Sequence, residues 1–350
     1  MAYVPILKGK LGEFLALGEM APDVRRQVLP VLEVVVGDSR VRDVLETFRE
    51  HAWRQLPTGL SVAVDCGALW ESGPVGGVWT GHSLNWLSEA FGAWLLPLIP
   101  VFRPGDPPGS LLEVRGVQRA HGQGALLRLD MRSWAGAPGT ERSVRAALKR
   151  VRLPPEEVDL VLDAGFVSGD TAVTNALPVM LNALNWARTA PWRSITAASG
   201  AFRRSVADLS REHPNLLHRW DASLWRKIAG STDDRPPEFG DYGVSHPVAP
   251  RRAGRATIPH LRYTLPDDWV VYVADRQASG NDDFFRISRA LVRSDDWPDR
   301  GASMSWGDAQ IALCAWQQRP KAGTATHWRA WATSHHLAAV TESLRAFGRP

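Results

Sequence analysis

The sequence is poor in cysteine and in lysine. Its two cysteines, Cys66 and Cys314, are too few and too far apart for a disulfide framework or a zinc knuckle. A reducing compartment follows, and we expect a cytoplasmic protein. Only five of the 41 basic residues are lysines, and such uniform use of arginine is more typical of a GC-rich genome than of a nucleic-acid-binding protein.

Long apolar runs and several familiar motifs are also missing. No run approaches the roughly 20 residues of a membrane-spanning helix, and the first residues lack the charged and apolar regions of a signal peptide. We therefore expect neither secretion nor insertion in a membrane. A G-x-G-x-x-G turn after the first strand is absent, which weighs against a doubly wound open sheet. A P-loop and an H-E-x-x-H motif are also absent, which weighs against nucleotide triphosphatases and common hydrolases.

What remains is the composition of a folded α/β protein. The chain has 350 residues, of which 44% are hydrophobic and 22% charged, so it can bury a sizeable core in one enlarged domain or in two modest ones. The net charge of +4 is a small excess. It permits a polyanionic partner without indicating one.

Short apolar or β-branched runs alternate with amphipathic stretches along the first two thirds of the chain. The predicted strands are 3–7, 29–36, 60–65, 99–102, 125–130, 159–163, 194–198 and 239–244. Helices are predicted between them, and 201–228 is predicted to be mostly helical. Eight such units predict a (β/α)8 barrel over residues 1–246. A doubly wound open sheet is the alternative, because a sequence cannot show closure.

The alternation of apolar runs and amphipathic stretches ends after His246. A polar, turn-rich connection from Pro247 to Arg255 precedes a predicted hairpin, 258–263 with 269–273. Predicted helices follow at 284–292, 308–317 and 326–347. We therefore expect a C-terminal α+β extension, residues 247–350, packed on the barrel, and one of its helices is a candidate for the eighth barrel helix.

Acidic residues recur at or near the ends of four predicted strands. Because the loops at the carboxyl ends of barrel strands carry the active sites of such folds, we predict these acids to be catalytic. They are Glu33, Asp65, Asp130 and Asp163. Asp65 and Asp163, each followed within two positions by glycine, are the favoured pair and the candidate ligands for Mg²⁺ or Mn²⁺.

Basic residues occur at comparable places and are predicted to bind a ligand. They are Lys8, Lys10, Arg103, Arg132 and Arg203. Four acids at one barrel mouth would repel each other unless such cations or a metal ion accompanied them. The simpler alternative is that each aspartate caps the next helix or pairs with a neighbouring arginine.

Two chemistries are compatible with such a pocket. Clustered carboxylates that hold a metal ion would support a phosphoesterase or nuclease, with the basic residues gripping phosphate. Alternatively, the pocket binds a charged molecule without turnover. The sequence leaves both open.

Several motifs spread over nearly the whole chain carry a resemblance to a known family. They are Tyr3-Val4-Pro5-Ile6-Leu7-Lys8-Gly9-Lys10 with Gly12-Glu13, Leu29-Pro30-Val31-Leu32-Glu33-Val34, Arg262-Tyr263-Thr264, Trp306-Gly307-Asp308, and Trp328 with His335-His336. The chain resembles the "beta protein" family of phages, prophages and satellite elements. The resemblance singles out Lys8, Lys10, Glu13, Glu33, Arg262, Trp306, Asp308 and His336. It adds Arg262 and His336 to the candidate ligand-binding residues and supplies no catalytic mechanism.

The resemblance implies a context more than a reaction. Family members resemble accessory proteins of mobile elements, some of them in gene cassettes that protect the host cell against other phages, beside a toxin-like partner. We therefore expect a component of such a defence system whose barrel-mouth site binds a phosphate-bearing ligand or nucleic acid. The alternative is a non-enzymatic sensor or antitoxin-like protein that restrains a toxic partner encoded nearby.

Overall fold

A computed structural model describes residues 2–37, 39–71, 83–232, 234–249, 258–274 and 280–350 of the chain. Eight parallel strands close into a barrel in which the last strand pairs with the first. The barrel strands are β1 (Tyr3–Lys8), β2 (Val31–Glu33), β3 (Val62–Asp65), β4 (Leu98–Phe102), β5 (Ala125–Asp130), β6 (Val158–Phe166), β7 (Ser194–Gly200) and β9 (Glu238–Asp241). The predicted (β/α)8 barrel is thus confirmed, and the open sheet is not formed.

Residues along each barrel strand alternate between two cores. A small core fills the barrel with side chains such as Val4, Ile6 and Val161, and a much larger core lies between the strands and the helices. Gly240 on β9 allows the strands to close, because a Cβ there would lie 2.9 Å from the Ala198 Cβ and 3.0 Å from the Val4 carbonyl oxygen. The inward positions at the carboxyl ends of the strands are polar.

Helices cover the outside of the barrel. They are α1 (Leu11–Gly18), α2 (Pro22–Arg25), α3 (Val41–Gln55), α4 (Gly67–Glu71), α5 (Ser83–Ala93), α6 (Pro108–His121), α7 (Ala137–Val151), α8 (Asp170–Ala187) and α9 (Trp220–Gly230). The bounds of α6 follow local chemistry, since Pro108 opens it and Gly122, with φ +64°, closes it in the left-handed conformation. Among the described residues, no helix is long and apolar enough to cross a bilayer.

A three-stranded antiparallel sheet stands beside the barrel. Its strands are β8 (Asn215–His218), β10 (His260–Thr264) and β11 (Asp268–Val273), in the order β10-β11-β8. The prediction that 201–228 is mostly helical was therefore wrong, because only α9 is helical and β8 pairs with β11. The Asn215–His218 segment carries no alternation of its own, and its partner lies about fifty residues later.

The remaining helices complete the C-terminal region. They are α10 (Asp283–Val292), α11 (Trp306–Ala315) and α12 (Ala325–Phe347). A separate apolar core joins β10 and β11 to these helices through residues such as Tyr263, Phe284 and Trp331. Helix α12 packs on α1 and reaches β1, and so takes the place of the eighth barrel helix. The predicted connection from Pro247 to Arg255 lies outside the described residues from 250 onward.

Candidate functional site

Neighbouring strands bring polar side chains to one level at the carboxyl end of the barrel. Lys8 on β1 is in register with Glu33 on β2, and Glu33 with Asp65 on β3. Asp163 on β6 is in register with Asp130 on β5. Because parallel strands end at the same face, these side chains meet around the mouth of the barrel.

Arg128 on β5 joins the acids. Its Nη1 donates to Glu33 Oε1 at 2.8 Å and to Asp65 Oδ2 at 2.7 Å, while its Nε and Nη2 donate to Asp163 Oδ2 at 2.9 and 2.7 Å. Nη2 also donates to the Tyr242 hydroxyl, which in turn donates to Asp163 Oδ2 at 2.6 Å. A single buried guanidinium therefore holds three carboxylates and a phenol.

Arg103 grips Asp65 from the other side. Its Nη1 and Nη2 donate to Asp65 Oδ1 and Oδ2 at 2.9 and 2.6 Å, and the Gly67 amide also donates to Oδ1. A Cβ at position 67 would lie 1.9 Å from Arg103 Nη1, so a larger residue there would displace the guanidinium from Asp65. Burial raises the pKa of Asp65, but Arg103 and Arg128 outweigh it and hold that pKa well below the usual range.

Lys8 completes the set. Its ammonium donates to Glu33 Oε2 and to the Pro247 carbonyl, and lies 5.1 Å from the centre of the Tyr242 ring. We call this group the mouth cluster: Lys8, Glu33, Asp65, Arg103, Arg128, Asp163 and Tyr242. Its three cations balance its three carboxylates.

The carboxylates of the mouth cluster are already occupied. Both oxygens of Asp65 accept from guanidinium groups, and those of Asp163 accept from Arg128, Tyr242 and the Gly165 amide. A divalent cation needs free carboxylate oxygens at about 2.0–2.6 Å. Within the described ranges no group of three His, Cys, Asp or Glu side chains could hold a metal ion. As arranged, Asp65 and Asp163 do not fit Mg²⁺ or Mn²⁺.

A cavity of about 600 Å³ opens beside the mouth cluster. Arg103 and Arg128 lie in its wall, opposite Trp134 and the hydroxyl residues Thr140 and Ser143 of helix α7. The cavity is large enough for a small ligand. It therefore gives a ligand access to Arg103, whose side chain is a quarter exposed, whereas the five N–H donors of Arg128 already bind the mouth carboxylates and Tyr242.

Other predicted residues lie outside the mouth cluster. Asp130 pairs with Arg132 at the exposed rim, at 2.6 Å between Oδ2 and Nη2. This is the simpler alternative given above, in which an aspartate pairs with a neighbouring arginine. Arg203 pairs with Asp208 on the surface. His336 is buried outside the barrel wall, where its Nε2 contacts Asp241 Oδ2 at 2.8 Å.

Lys10 and Arg262 lie in a second group at the same face. Lys10 immediately precedes α1, and Arg262 on β10 donates through Nη1 to the carbonyl of Val244, which follows β9. Arg329 on α12 is the third cation, and its Nη1 lies 3.3 Å from Glu13 Oε1. We call Lys10, Arg262 and Arg329 the basic triad.

Sequence reasoning missed Arg128 and Tyr242. The run Ala125-Leu126-Leu127-Arg128-Leu129-Asp130 contains the signal for Arg128, because alternation places it on the same strand face as Leu126 and Asp130. A charged residue at an inward position of a barrel strand marks the site. Tyr242 carried no comparable signal, since it directly follows the end of β9.

Comparisons with known proteins agree with parts of this description. The family model described as Beta protein matches residues 3–342. Among solved structures, tryptophan synthase of Mycobacterium tuberculosis matches with 11% identity and a TM-score of 0.31, over 97% of this chain and 91% of that chain. A likeness that weak carries no argument, so the barrel assignment rests on the strand order given above. No curated protein matches the chain.

Proposed function

The chain belongs to the Beta protein family, and from the geometry of its mouth cluster we propose that it binds a phosphate-bearing ligand at the carboxyl end of the barrel. Arginine side chains, rather than a metal ion, are the charge partners of the ligand in this proposal. The observation that carries it is Arg103, which Asp65 holds in a fixed orientation and which borders a cavity of about 600 Å³ with a quarter of its side chain exposed.

Fixed guanidinium groups suit a phosphate. Each presents several N–H donors in a plane, and carboxylate pairing removes the cost of ordering the side chain when the ligand arrives. Arg103 keeps a quarter of its side chain exposed, so some of its donor surface is accessible from the cavity. The first turn of α7 brings Thr140 to the same cavity, where its hydroxyl can donate to a phosphate oxygen, whereas the Ser143 hydroxyl donates to the Thr140 carbonyl at 2.8 Å.

Binding without turnover is the form of the proposal that the donor set favours. A metal-dependent phosphoesterase or nuclease would need carboxylate oxygens that Arg103, Arg128 and Tyr242 occupy here. The cellular role we propose, a component of a phage or mobile-element defence system, rests on the family resemblance.

Ligand titration tests the proposal. Binding of nucleoside mono- and triphosphates and of a short oligonucleotide to the purified chain is measured by calorimetry, for the parent and for Arg103→Gln. We expect at least one of these ligands to bind, and Arg103→Gln to weaken it about tenfold or more, since one charge-assisted hydrogen bond to phosphate is worth about 1.5–3 kcal/mol.

Arg40→Gln is the matched control, because Arg40 also pairs with an aspartate through two nitrogens but lies exposed on the surface. It should bind like the parent. Thr140→Val removes a cavity hydroxyl and leaves the ion pairs intact. If Arg103→Gln is unstable, binding to Thr140→Val tests the same cavity, and we expect it to be weaker than binding to the parent. A parent protein that binds none of these phosphates would refute the proposal.

A second candidate, the antitoxin-like binder of a partner protein, is favoured by a different observation. A groove of about 580 Å³ between α7 and α8 exposes parts of Trp186 and Trp192 beside Arg145 and Lys149. An acidic, amphipathic segment of a partner encoded in the neighbouring gene would suit it. Co-purification of that gene product with the parent, and its loss with Leu148→Glu in the groove wall, would support this candidate. Recovery of the neighbouring gene product in equal amounts with the parent and with Leu148→Glu would refute this candidate.

A further inference from the structure

Resting on the proposed function, we propose that the basic triad, Lys10, Arg262 and Arg329, is the subsite that takes the doubly charged phosphomonoester group of the ligand. The three cations come from three separate parts of the chain: the loop after β1, strand β10 and helix α12. They meet only because α12 and the three-stranded sheet lie against the mouth of the barrel.

The triad adjoins the mouth cluster. Lys10 lies two residues after Lys8, whose ammonium reaches the Pro247 carbonyl, and Arg262 reaches the Val244 carbonyl in the same segment after β9. Gly12 permits the close approach of α12 to α1, because a Cβ there would lie 3.0 Å from the Thr326 carbonyl and 3.3 Å from the Arg329 side chain. The triad and the mouth cluster therefore contact the same segment after β9.

Among the described residues, the positive charges of the basic triad outnumber the carboxylates beside it. Lys8 is paired with Glu33, so the carboxylate available to the triad is Glu13, which contacts Arg329 through Oε1. Within the part of the chain that the structure describes, the Lys10 ammonium makes no hydrogen bond or ion pair. Among these described residues, three cations thus face one carboxylate.

The excess charge is partly buried. Arg262 lies with its guanidinium carbon 4.5 Å from the centre of the Phe202 ring, and its Nε is buried without a hydrogen-bond partner among the residues that the structure describes. Burial, and then the charge of Arg329, lower the pKa of Lys10 and lower that of Arg262 to about 9. With a pKa of about 9, Arg262 remains charged at pH 7.

The same surroundings hold His260 neutral. Burial, followed by the charges of Arg262 and Arg329, lowers the pKa of His260 to about 3, and its Nδ1 lies 2.8 Å from the Ile258 carbonyl. His260 therefore adds no charge to the triad at pH 7. The excess stays near two positive charges.

An uncompensated buried charge destabilises a fold unless a partner offsets it. A phosphomonoester carries about −1.5 to −2 at pH 7, which matches the excess in the triad. Arginine and lysine together also suit such a group, since guanidinium binds two of its oxygens and ammonium acts as a point charge. A phosphodiester, with a single negative charge, would leave part of the excess unpaired.

Calorimetry on the full chain tests the subsite with three probes: a nucleoside 5′-monophosphate, the same nucleoside without phosphate, and inorganic phosphate. The variants are Lys10→Gln and Arg329→Gln, which keep length and polarity, while Arg262 is left intact because it packs on Phe202. Arg300→Gln is the control, since Arg300 is an exposed cation of the C-terminal region paired with Glu342.

We expect the monophosphate to bind the parent and Arg300→Gln equally, and both triad variants to bind it at least tenfold more weakly. Affinity in the parent should fall as the pH drops below about 6, where the phosphomonoester takes up its second proton. Inorganic phosphate bound as tightly as the monophosphate would support the subsite and identify free phosphate as the ligand.

Other results separate the two proposals. If Arg103→Gln abolishes binding while Lys10→Gln and Arg329→Gln bind like the parent, the subsite is refuted and the proposed function stands. If the nucleoside without phosphate binds as well as the monophosphate, the subsite is also refuted. If the parent binds no phosphate at all, both proposals fall.

Discussion

Arg128 is the residue on which the mouth cluster depends. Replacing it by methionine would leave Glu33, Asp65 and Asp163 close together at the barrel mouth without the guanidinium that joins them. Removing one partner of a buried ion pair costs about 3–5 kcal/mol, so we expect Arg128→Met to lower the free energy of unfolding by at least that amount. Urea denaturation at pH 7 measures it.

The control for this prediction is Arg145→Met, which breaks an exposed ion pair with Glu141 on α7. Such surface pairs contribute about 0–1 kcal/mol. Equal losses in the two variants would show that the guanidinium of Arg128 has no special role.

Acid should destabilise the protein through its paired carboxyls. Burial raises the pKa of Asp65 and Asp308, but arginines beside the first and His335 beside the second more than compensate, so both lie below the ordinary value of 3.8 in the folded state. A lowered folded pKa gives stability that is present above the unfolded value and is lost as the pH falls through the folded one. Asp221, whose pKa burial raises, acts in the opposite direction.

We therefore expect the free energy of unfolding to fall steeply below about pH 4. Urea titrations at pH 7, 5, 4 and 3 measure this dependence. Asp65→Asn should lower the free energy of unfolding at pH 7 and weaken its dependence on pH in acid. The exposed Asp43→Asn should leave both unchanged. A parent protein equally stable at pH 5 and pH 3 would contradict the expectation.

At the scale of the element, α12 connects the barrel to the C-terminal core through two adjacent histidines. Neighbouring side chains on a helix point about 100° apart. His336 accordingly contacts Asp241 on β9, while His335 contacts Asp308 at 3.1 Å and stacks on Tyr263 at 3.7 Å between ring centres. One turn of helix thus supplies a polar contact to each side.

His336→Leu and His335→Leu should each lower the free energy of unfolding by about 2–3 kcal/mol, because each leaves a buried carboxylate short of a hydrogen-bond donor. Thermal and urea denaturation measure the loss. His213→Leu, at an exposed histidine, should change stability by less than about 0.5 kcal/mol. A loss confined to one of the two histidines would show that α12 is anchored on one side alone.

Elements differ in how far the sequence predicts them. β5 matches its predicted bounds because its apolar run is enclosed by turn residues, and Asp65 was found because it ends such a run. β8 was missed, since a four-residue strand owes its conformation to pairing with β11. For the same reason Arg329 was not predicted. The strand pattern made Lys10 a candidate ligand-binding residue and the family resemblance added Arg262, but Arg329 comes near them through the packing of α12 on α1.

For the whole molecule, the division at residues 246 and 247 is a prediction that truncation can test. A chain ending at residue 249 loses β10 and β11, of which β11 pairs with β8, and it loses α12, which covers α1. We expect this chain to be insoluble or to lack a cooperative thermal transition, because apolar surface on α1 and β1 would be exposed. Circular dichroism and calorimetry measure the outcome.

Expression of residues 250–350 as a separate chain supplies the control. It should restore a cooperative transition when both pieces are produced together. A truncated chain that melts cooperatively by itself would instead show that the barrel folds independently of the C-terminal region.

The closure of the barrel has a consequence for the order of folding. The mouth cluster takes its members from β1, β2, β3, β5, β6 and the residues after β4 and β9. Its hydrogen bonds across the barrel, from Arg128 to Glu33 and to the Tyr242 hydroxyl, can form only when the ring of strands has closed. Contacts made after the rate-limiting step slow unfolding and leave the folding rate unchanged. We therefore expect the charged mouth to lower the unfolding rate of the closed barrel and to leave its folding rate unchanged.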